Sequence, residues 1–370
     1  MAALWSLGLM SGTSMDGIDA ALVLTDGASV REWGPFATTP YAEDFRARLS
    51  SVLGGKGEVA AVERELTDLH AGAVRGLLDG AGRRASSVDV VGFHGHTILH
   101  APQARRTWQI GDGARLAAAT GIDVVCDFRS ADVAAGGEGA PLVPVFHAAL
   151  ARALDRPIAI LNVGGVANVT WIGAGEGDGG TPPLLAFDTG PGNALSDDWA
   201  RRHTGRPVDT DGALARSGRA HDAIIEGFLG QAYFSRPPPK SLDRDAFDMA
   251  PVAALSAADG AATLIAFSAA AAAAAQRFFP APPVRWLIAG GGRHNPALMS
   301  ELRRRLDAPV EPVEAAEWNG DALEAQAFAA LAVRSLYGLP ISFPSTTRAP
   351  RALTGGRLFK AAPGYPPRTS

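Results

Sequence analysis

Apolar residues fill Leu4–Met10, small and polar residues fill Ser11–Gly17, and an apolar, β-branched run returns over Ile18–Leu24. This pattern predicts strand, tight turn, strand. A third strand is expected near Val30–Phe36. Helical spacing marks Asp44–Leu53 and Val59–Leu78, where Val62, Leu66, Leu69 and Ala73 share one face. Short apolar runs at Val88–Phe93, Thr107–Ile110 and Ile122–Cys126 predict three more strands. They run into His94-Gly95-His96-Thr97, Gly111-Asp112-Gly113 and Asp127-Phe128-Arg129. In open α/β sheets, ligands sit beyond strand ends.

The glycine-rich stretch within residues 131–145 reads as a crossing into a second domain, where the opening design returns. Strands are expected at Ile158–Val163, Val166–Ile172 and Leu184–Phe187, the first two joined by a Gly164-Gly165 turn. The third ends in Asp188-Thr189-Gly190-Pro191-Gly192-Asn193, before a helix over Ala194–His203. Ser235–Asp245 carries three prolines and reads either as a substrate lid or dimer contact, or as a plain surface connection. An alanine-rich helix (Ala261–Ala275) and a strand (Val284–Ala289) lead to Gly290-Gly291-Gly292. Asn295 as cap and Pro296 at the first position begin another helix. A final helix runs from Asn319-Gly320-Asp321 to Leu336. The repetition predicts two α/β domains of similar topology, 1–145 and 146–370, the last segment able to pack back on the first.

Composition narrows the function classes. In 370 residues the chain has 47% hydrophobic residues and a formal net charge of -4, so no basic surface points to nucleic acid or an anionic membrane. The single cysteine, Cys126, excludes an internal disulfide and fits a reducing, cytoplasmic compartment. No basic segment precedes the first apolar run, so no signal peptide is expected. The Ala261–Ala275 stretch is too rich in alanine to read as a bilayer span.

Six groups of residues could carry chemistry. The turn Gly12, Thr13, Ser14, Met15, Asp16, Gly17 could cradle an anion on its backbone N–H groups, or be an ordinary hairpin turn. Asp188 sits at a strand end too early to cap the next helix, which favours a general base beside glycine-turn N–H donors. Gly290–Gly292 lets backbone pass close to a nucleotide, although it has neither Walker A nor dinucleotide spacing. His94, His96 and His100 lack a zinc-ligand spacing, so hydrogen bonding to a sugar by His96 and Thr97 is preferred, with His94 facing back into the sheet. Arg129 could clamp a carboxylate, or pair with Asp127 or Asp132. Glu324 shares a helical face with Phe328 and Leu331, and is either functional or partly exposed in the helix's first turn.

Taken together, SGTSMDGIDAAL, FHGHTILHAP, TWQIGDGARLA, DFRSADVAAGGEGAPLVP, LNVGGVANVT, FDTGPGNALSD, AGGGRHN and DALEAQAFAALA closely resemble the anhydro-N-acetylmuramic acid kinase family, in order, from about Gly8 to Leu336. The resemblance implies a two-domain actin-like sugar kinase fold, with ribonuclease-H-like domains closing over a cleft. It implies that water opens the 1,6-anhydro bridge of 1,6-anhydro-N-acetylmuramic acid while O6 takes the γ-phosphoryl group of ATP, in cell-wall recycling. By position, Gly12–Asp19 (with Ile18 and Asp19) would form the first phosphate loop, and Gly164, Gly165, Gly190 and Gly290–Gly292 would approach the nucleotide. Asp188 would activate water. His96, Thr97, Arg129, Glu324 and, alternatively to a role near magnesium, Asp16 would meet the sugar. Mg2+ would ride on ATP, with no dedicated protein ligands, and a homodimer is expected. The sequence departs from the family pattern at His96 and Glu138, where Gln is usual, and at Thr347-Arg348-Ala349, where a TGA-type motif is usual.

Overall fold

A computed structural model describes residues 1–12, 14–177, 181–244 and 246–361. The chain forms two compact α/β units. The first combines residues 1–150 with 321–370, and the second is residues 151–320.

In the first unit, β1 (Leu4–Ser11), β2 (Gly17–Thr25) and β3 (Val30–Pro40) form an antiparallel meander. β4 (Val90–Ala101) lies parallel to β1, and β6 (Val124–Cys126) lies parallel to β4. β5 (Arg106–Ile110) folds back on the outer half of β4, and β12 (Arg357–Phe359) closes the far edge. In the second unit, β7 (Ile158–Val163), β8 (Val166–Ile172) and β9 (Leu184–Pro191) repeat the meander. β10 (Trp286–Ala289) and β11 (Val310–Pro312) add in parallel beside β7. The orders β6-β4-β1-β2-β3 and β11-β10-β7-β8-β9 are the same design used twice. That is the ribonuclease-H-like order, and it occurs once in each unit.

The first unit's far face is covered by residues from the end of the chain. The Leu323–Leu336 helix packs on β1, β2 and β4. Its closeness depends on two glycines: a Cβ on Gly8 would stand within bonding range of the Ala325 carbonyl oxygen, and one on Gly92 would lie 2.1 Å from that of Phe328. Ser6 Oγ donates to the Ala329 carbonyl at 2.8 Å, so sheet and helix are joined by a buried hydrogen bond as well as by apolar contact. The first stretch of this unit ends at Leu150 and not at the expected 145, and its second stretch comes from the last segment, which the sequence left able to pack back. Residues 146–150 and 321–370 belong to the first unit, because the helix that completes its sheet lies far along the chain.

The alanine-rich helix runs Ala257–Ala275, capped by Ser256 accepting from the Asp259 N–H at 3.0 Å. With its continuation to Phe278 it is long and apolar enough to cross a membrane by composition, yet most of it is buried in the second unit. Its small side chains let neighbours approach: a Cβ on Gly190 of β9 would lie 2.7 Å from Ala271 Cβ. Gly190 therefore serves this packing. Around the helix, Phe228, Phe234, Phe247 and Phe267 form a stacked and edge-to-face aromatic core.

Candidate active site

The opening hairpin turn is held from both sides by one residue. Tyr41 donates its hydroxyl to Ser11 Oγ at 2.8 Å, and its backbone N–H to the Asp16 carbonyl at 3.0 Å. Ser11 Oγ also meets His96 Nδ1 at 3.0 Å. Within the turn the Met15 N–H closes on the Gly12 carbonyl at 3.0 Å, with Met15 left-handed at φ 54°. Ser14 Oγ donates to Asp16 Oδ1 at 2.7 Å. A Cβ on Gly12 would find only Ser14 Oγ, 3.6 Å away, so backbone is accessible there. Thr13 lies outside the described residues. Gly17 is packed against the Thr39 carbonyl of β3, and Ile18 is wholly buried in the core, so neither side of that strand start is open to a nucleotide. Asp19 bonds Thr38 and is raised above its usual pKa, chiefly by burial, with Asp16 and Asp321 adding negative potential.

Both histidines are buried, each against a different partner. β4 is irregular against β1 between Leu9 and Ser11, and Gly95 there is left-handed at φ 73°. The irregularity directs His96 to Ser11, where it is 1% exposed and its Nε2 is buried without a partner. Burial lowers its pKa to about 4. His96 thus supports the hairpin through Ser11. His94 packs tilted against Phe328, with ring centres 4.5 Å apart, and meets Arg129. It shares a cavity of about 370 Å3 with Gln109, Asp127 and Arg357. Thr97 Oγ1 accepts from Gln109 at 3.2 Å.

Arg129 donates from NH1 to the Gly139 carbonyl at 2.8 Å and from Nε and NH2 toward His94 Nε2. Burial draws its pKa down to about 10, against the favourable potentials of Glu324 and Asp132. Neither expected salt bridge forms as such: Asp132 instead accepts from the Gly139 N–H at 2.6 Å and the Thr347 hydroxyl at 2.6 Å. Arg129 and Glu324 are thus electrostatic neighbours in the first unit, half-buried, on two elements that meet at the Phe128–Phe328 contact of 5.4 Å. Cys126 is structural, its thiol pushed up to about 12 mainly by burial.

In the second unit, Asp188 lies within β9 and not beyond its end, opposite Asn168. Its Oδ2 accepts from the Leu242 N–H at 2.8 Å, its N–H donates to the Lys240 carbonyl at 2.9 Å, and its carbonyl accepts from the Tyr233 hydroxyl at 2.5 Å. The proline-rich segment is therefore Asp188's outer wall. Gly164 and Gly165 accept from the backbone of Gly192, Asn193 and Ala194 at 2.7 to 3.2 Å, which fixes that turn over the start of the next helix. Gly290 (φ 73°) and Gly292 press against Val163, whereas a Cβ on Gly291 would meet nothing within 4 Å. Among the described residues no cluster of three or more His, Cys, Asp or Glu is placed to hold a metal ion.

A sequence profile described as anhydro-N-acetylmuramic acid kinase matches residues 5–361. The chain belongs to the anhydro-N-acetylmuramic acid kinase family. An anhydro-N-acetylmuramic acid kinase of Paramagnetospirillum magneticum is 61% identical over 355 residues, covering 95% of this chain and 98% of its own. One of Rhodospirillum rubrum is 58% identical, covering 97% and 95%. Among solved structures, a ligand-bound xylulose kinase from Lactobacillus acidophilus covers 97% of this chain and 94% of its own, at 11% identity and TM-score 0.46. Glu138 and Arg348 face each other. Arg348, left-handed at φ 60°, brings NH1 to 4.0 Å from Oε1 of buried Glu138, while the Glu138 N–H donates to the Thr347 carbonyl. The residues that sequence reasoning passed over are Tyr41, Tyr233, Lys240 and Leu242. Only the tyrosines and the lysine carried a signal, as polar groups among apolar or proline-rich neighbours.

Proposed function

We propose that this chain hydrolytically opens the 1,6-anhydro ring of 1,6-anhydro-N-acetylmuramic acid and phosphorylates O6 with ATP, giving N-acetylmuramic acid 6-phosphate and ADP. Membership of the family over nearly the whole chain is the observation that carries this reading. Asp188 is the general base. It accepts a proton from water as the water oxygen bonds to C1. The C1–O6 bond breaks, its electron pair stays on O6, and O6 bonds to the γ-phosphorus as the bond to the β-phosphate oxygen breaks. One base then serves both events. The Leu242 N–H keeps one carboxylate oxygen oriented. Arg129 is the group suited to the lactyl carboxylate, and Glu324 a partner for sugar hydroxyls, Thr97 lying on the same unit.

Accessible backbone at Gly12 and the open space at Gly291 suit the phosphates and the nucleoside of ATP. Magnesium bound with ATP would supply charge neutralisation on the phosphates. Asp16, which bonds Ser14, and half-buried Asp19 are the carboxylates near the turn that fit the metal's hydration shell. We place the enzyme in the cytoplasm as a homodimer that uses sugar and ATP, without nucleic acid or membrane partners.

A coupled ADP-release assay tests the reading. ADP should form with the anhydro sugar and ATP but not with free N-acetylmuramic acid, and Asp188→Asn should lower kcat by roughly 10^2- to 10^4-fold while ATP still binds. ADP release of equal rate with the free sugar would show a simple kinase instead.

A further inference from the structure

Lys240 is 4% exposed, and among the described residues no carboxylate pairs with it. A buried ammonium is costly unless other groups replace its water. Here backbone carbonyls and ring faces do so. Nζ donates to the Tyr233 carbonyl at 2.9 Å and lies 3.4 Å from that of Phe234. It sits 4.4 Å from the Tyr233 ring centre, 4.9 Å from Phe278 and 5.8 Å from Phe187. The charged neighbours are Arg277, which also donates to the Phe234 carbonyl, and Arg236; with burial they bring the lysine's pKa down to about 8.

Besides its pairing with β8, Asp188 is held by three hydrogen bonds from the segment this ammonium ties together. Tyr233, whose carbonyl Lys240 caps, sends its hydroxyl to the Asp188 carbonyl. The Lys240 carbonyl takes the Asp188 N–H, and Leu242, two residues on, holds Oδ2. Phe187, a wall of the lysine's box, precedes Asp188 in β9. A prolyl stretch (Pro237, Pro238, Pro239) has no N–H with which to pin itself, so the lysine supplies the fastening that its backbone lacks.

We propose that Lys240 is a positioning residue for the reaction: its ammonium, capped by the Tyr233 and Phe234 carbonyls inside an aromatic box, locks the Tyr233–Leu242 segment so that Asp188 is aimed at the attacking water. The inference rests on Asp188 being the base. Misplacing a base by about 1 Å costs about 100-fold in rate. Lys240 touches no substrate in this scheme, so its loss falls on kcat.

Lys240→Met keeps the stem and removes the ammonium. With full-length enzyme, kcat should drop about 10- to 100-fold. KM for both substrates should stay within about twofold, and the acid limb of the kcat/KM pH profile should move, because it reports the base. Lys240→Arg, which keeps a cation and its donors, should recover much of kcat. Tyr233→Phe removes only the hydroxyl on the Asp188 carbonyl and should lower kcat in the same direction, which keeps the test open should the methionine variant not fold. Wild-type kcat in Lys240→Met or, if that variant is insoluble, in Tyr233→Phe overturns the proposal. So does a kcat loss matched by the loss of folded protein, with an unmoved pH profile. If Asp188→Asn is inactive while Lys240→Met is normal, only the positioning role fails. If Asp188→Asn keeps its rate, the base assignment fails and this inference with it.

Discussion

His94 Nε2 accepts from the Arg129 guanidinium, 3.0 Å from NH2 and 3.2 Å from Nε. The other ring nitrogen, Nδ1, donates to the Gly95 carbonyl at 2.9 Å, so the geometry requires a neutral imidazole with its proton on Nδ1. Burial and the Arg129 charge hold the pKa well below the usual histidine value, in keeping with this tautomer. His94→Ala removes both the acceptor and the ring packed against Phe328. The expected outcome is a rise in KM for the sugar of roughly 10-fold, the equivalent of one charge-assisted hydrogen bond, with KM for ATP unchanged. Steady-state kinetics with each substrate varied in turn would show it. An ATP effect as large as the sugar effect would place Arg129 elsewhere.

Acid should act unequally on the two units. His70 and His96 are lowered to about 4 and His147 to about 3, each chiefly by burial, and all belong to the first unit. In the unfolded chain these groups bind protons near pH 6.5, so their contribution is complete above that value and is lost as pH falls toward 4. A histidine held at about 4 withholds on the order of 3 kcal/mol once protonation is forced. Asp197 in the second unit is raised to about 6, first by burial and then by Asp198, so its contribution is complete below the ordinary carboxylate range and is lost as pH rises through 6. Hydrogen exchange between pH 6.5 and 4 should show the first unit losing protection before the second. His70→Gln should flatten that decline, and equal loss of protection in both units would contradict it.

Neighbouring glycines should separate steric from nucleotide effects. Gly291→Ala adds a methyl group where the protein itself offers no obstacle, so Tm should hold. KM for ATP should rise several-fold if nucleotide occupies the space. Gly290→Ala is different: at φ 73° its Cβ would lie 2.5 Å from Asn162 Oδ1 and 2.7 Å from the Val163 carbonyl. That strain should cost about 1–3 kcal/mol and lower Tm with or without ATP. Paired melts with and without nucleotide would distinguish the two substitutions.

Tyr41→Phe removes the hydroxyl that reaches Ser11 and leaves the backbone bond to Asp16. The hairpin should keep its fold but lose definition at its first arm. Stability should fall by about 1 kcal/mol, while KM for ATP rises severalfold. Loss of stability without a change in KM would reduce Tyr41 to a core residue.

Much of the fold was legible because the two meanders alternate sharply between apolar strands and polar turns. Asn295 was also legible as a cap: its Oδ1 accepts from Ala297 and Leu298 at 3.0 and 3.2 Å. Asp188 was recognisable by type but misplaced in detail. β9 continues through it to Pro191, because β8 goes on supplying a partner strand after the apolar run stops. The contact of His96 with Ser11 follows from an irregularity centred near Gly95, and spacing along one strand cannot reveal a register change against another. The wall around Asp188 escaped for a related reason. It is made of backbone groups from Lys240 and Leu242, whose positions depend on tertiary contacts and not on local composition.

The two glycines beneath the Leu323–Leu336 helix also bear on how the chain is made. The ribosome delivers the β1–β6 strands early, but the helix that Gly8 and Gly92 are shaped to receive emerges only after the whole of the second unit. The 151–320 unit is continuous and has all its residues first. During synthesis the nascent first sheet must therefore wait with one face uncovered, a window in which a chaperone would find apolar surface to hold.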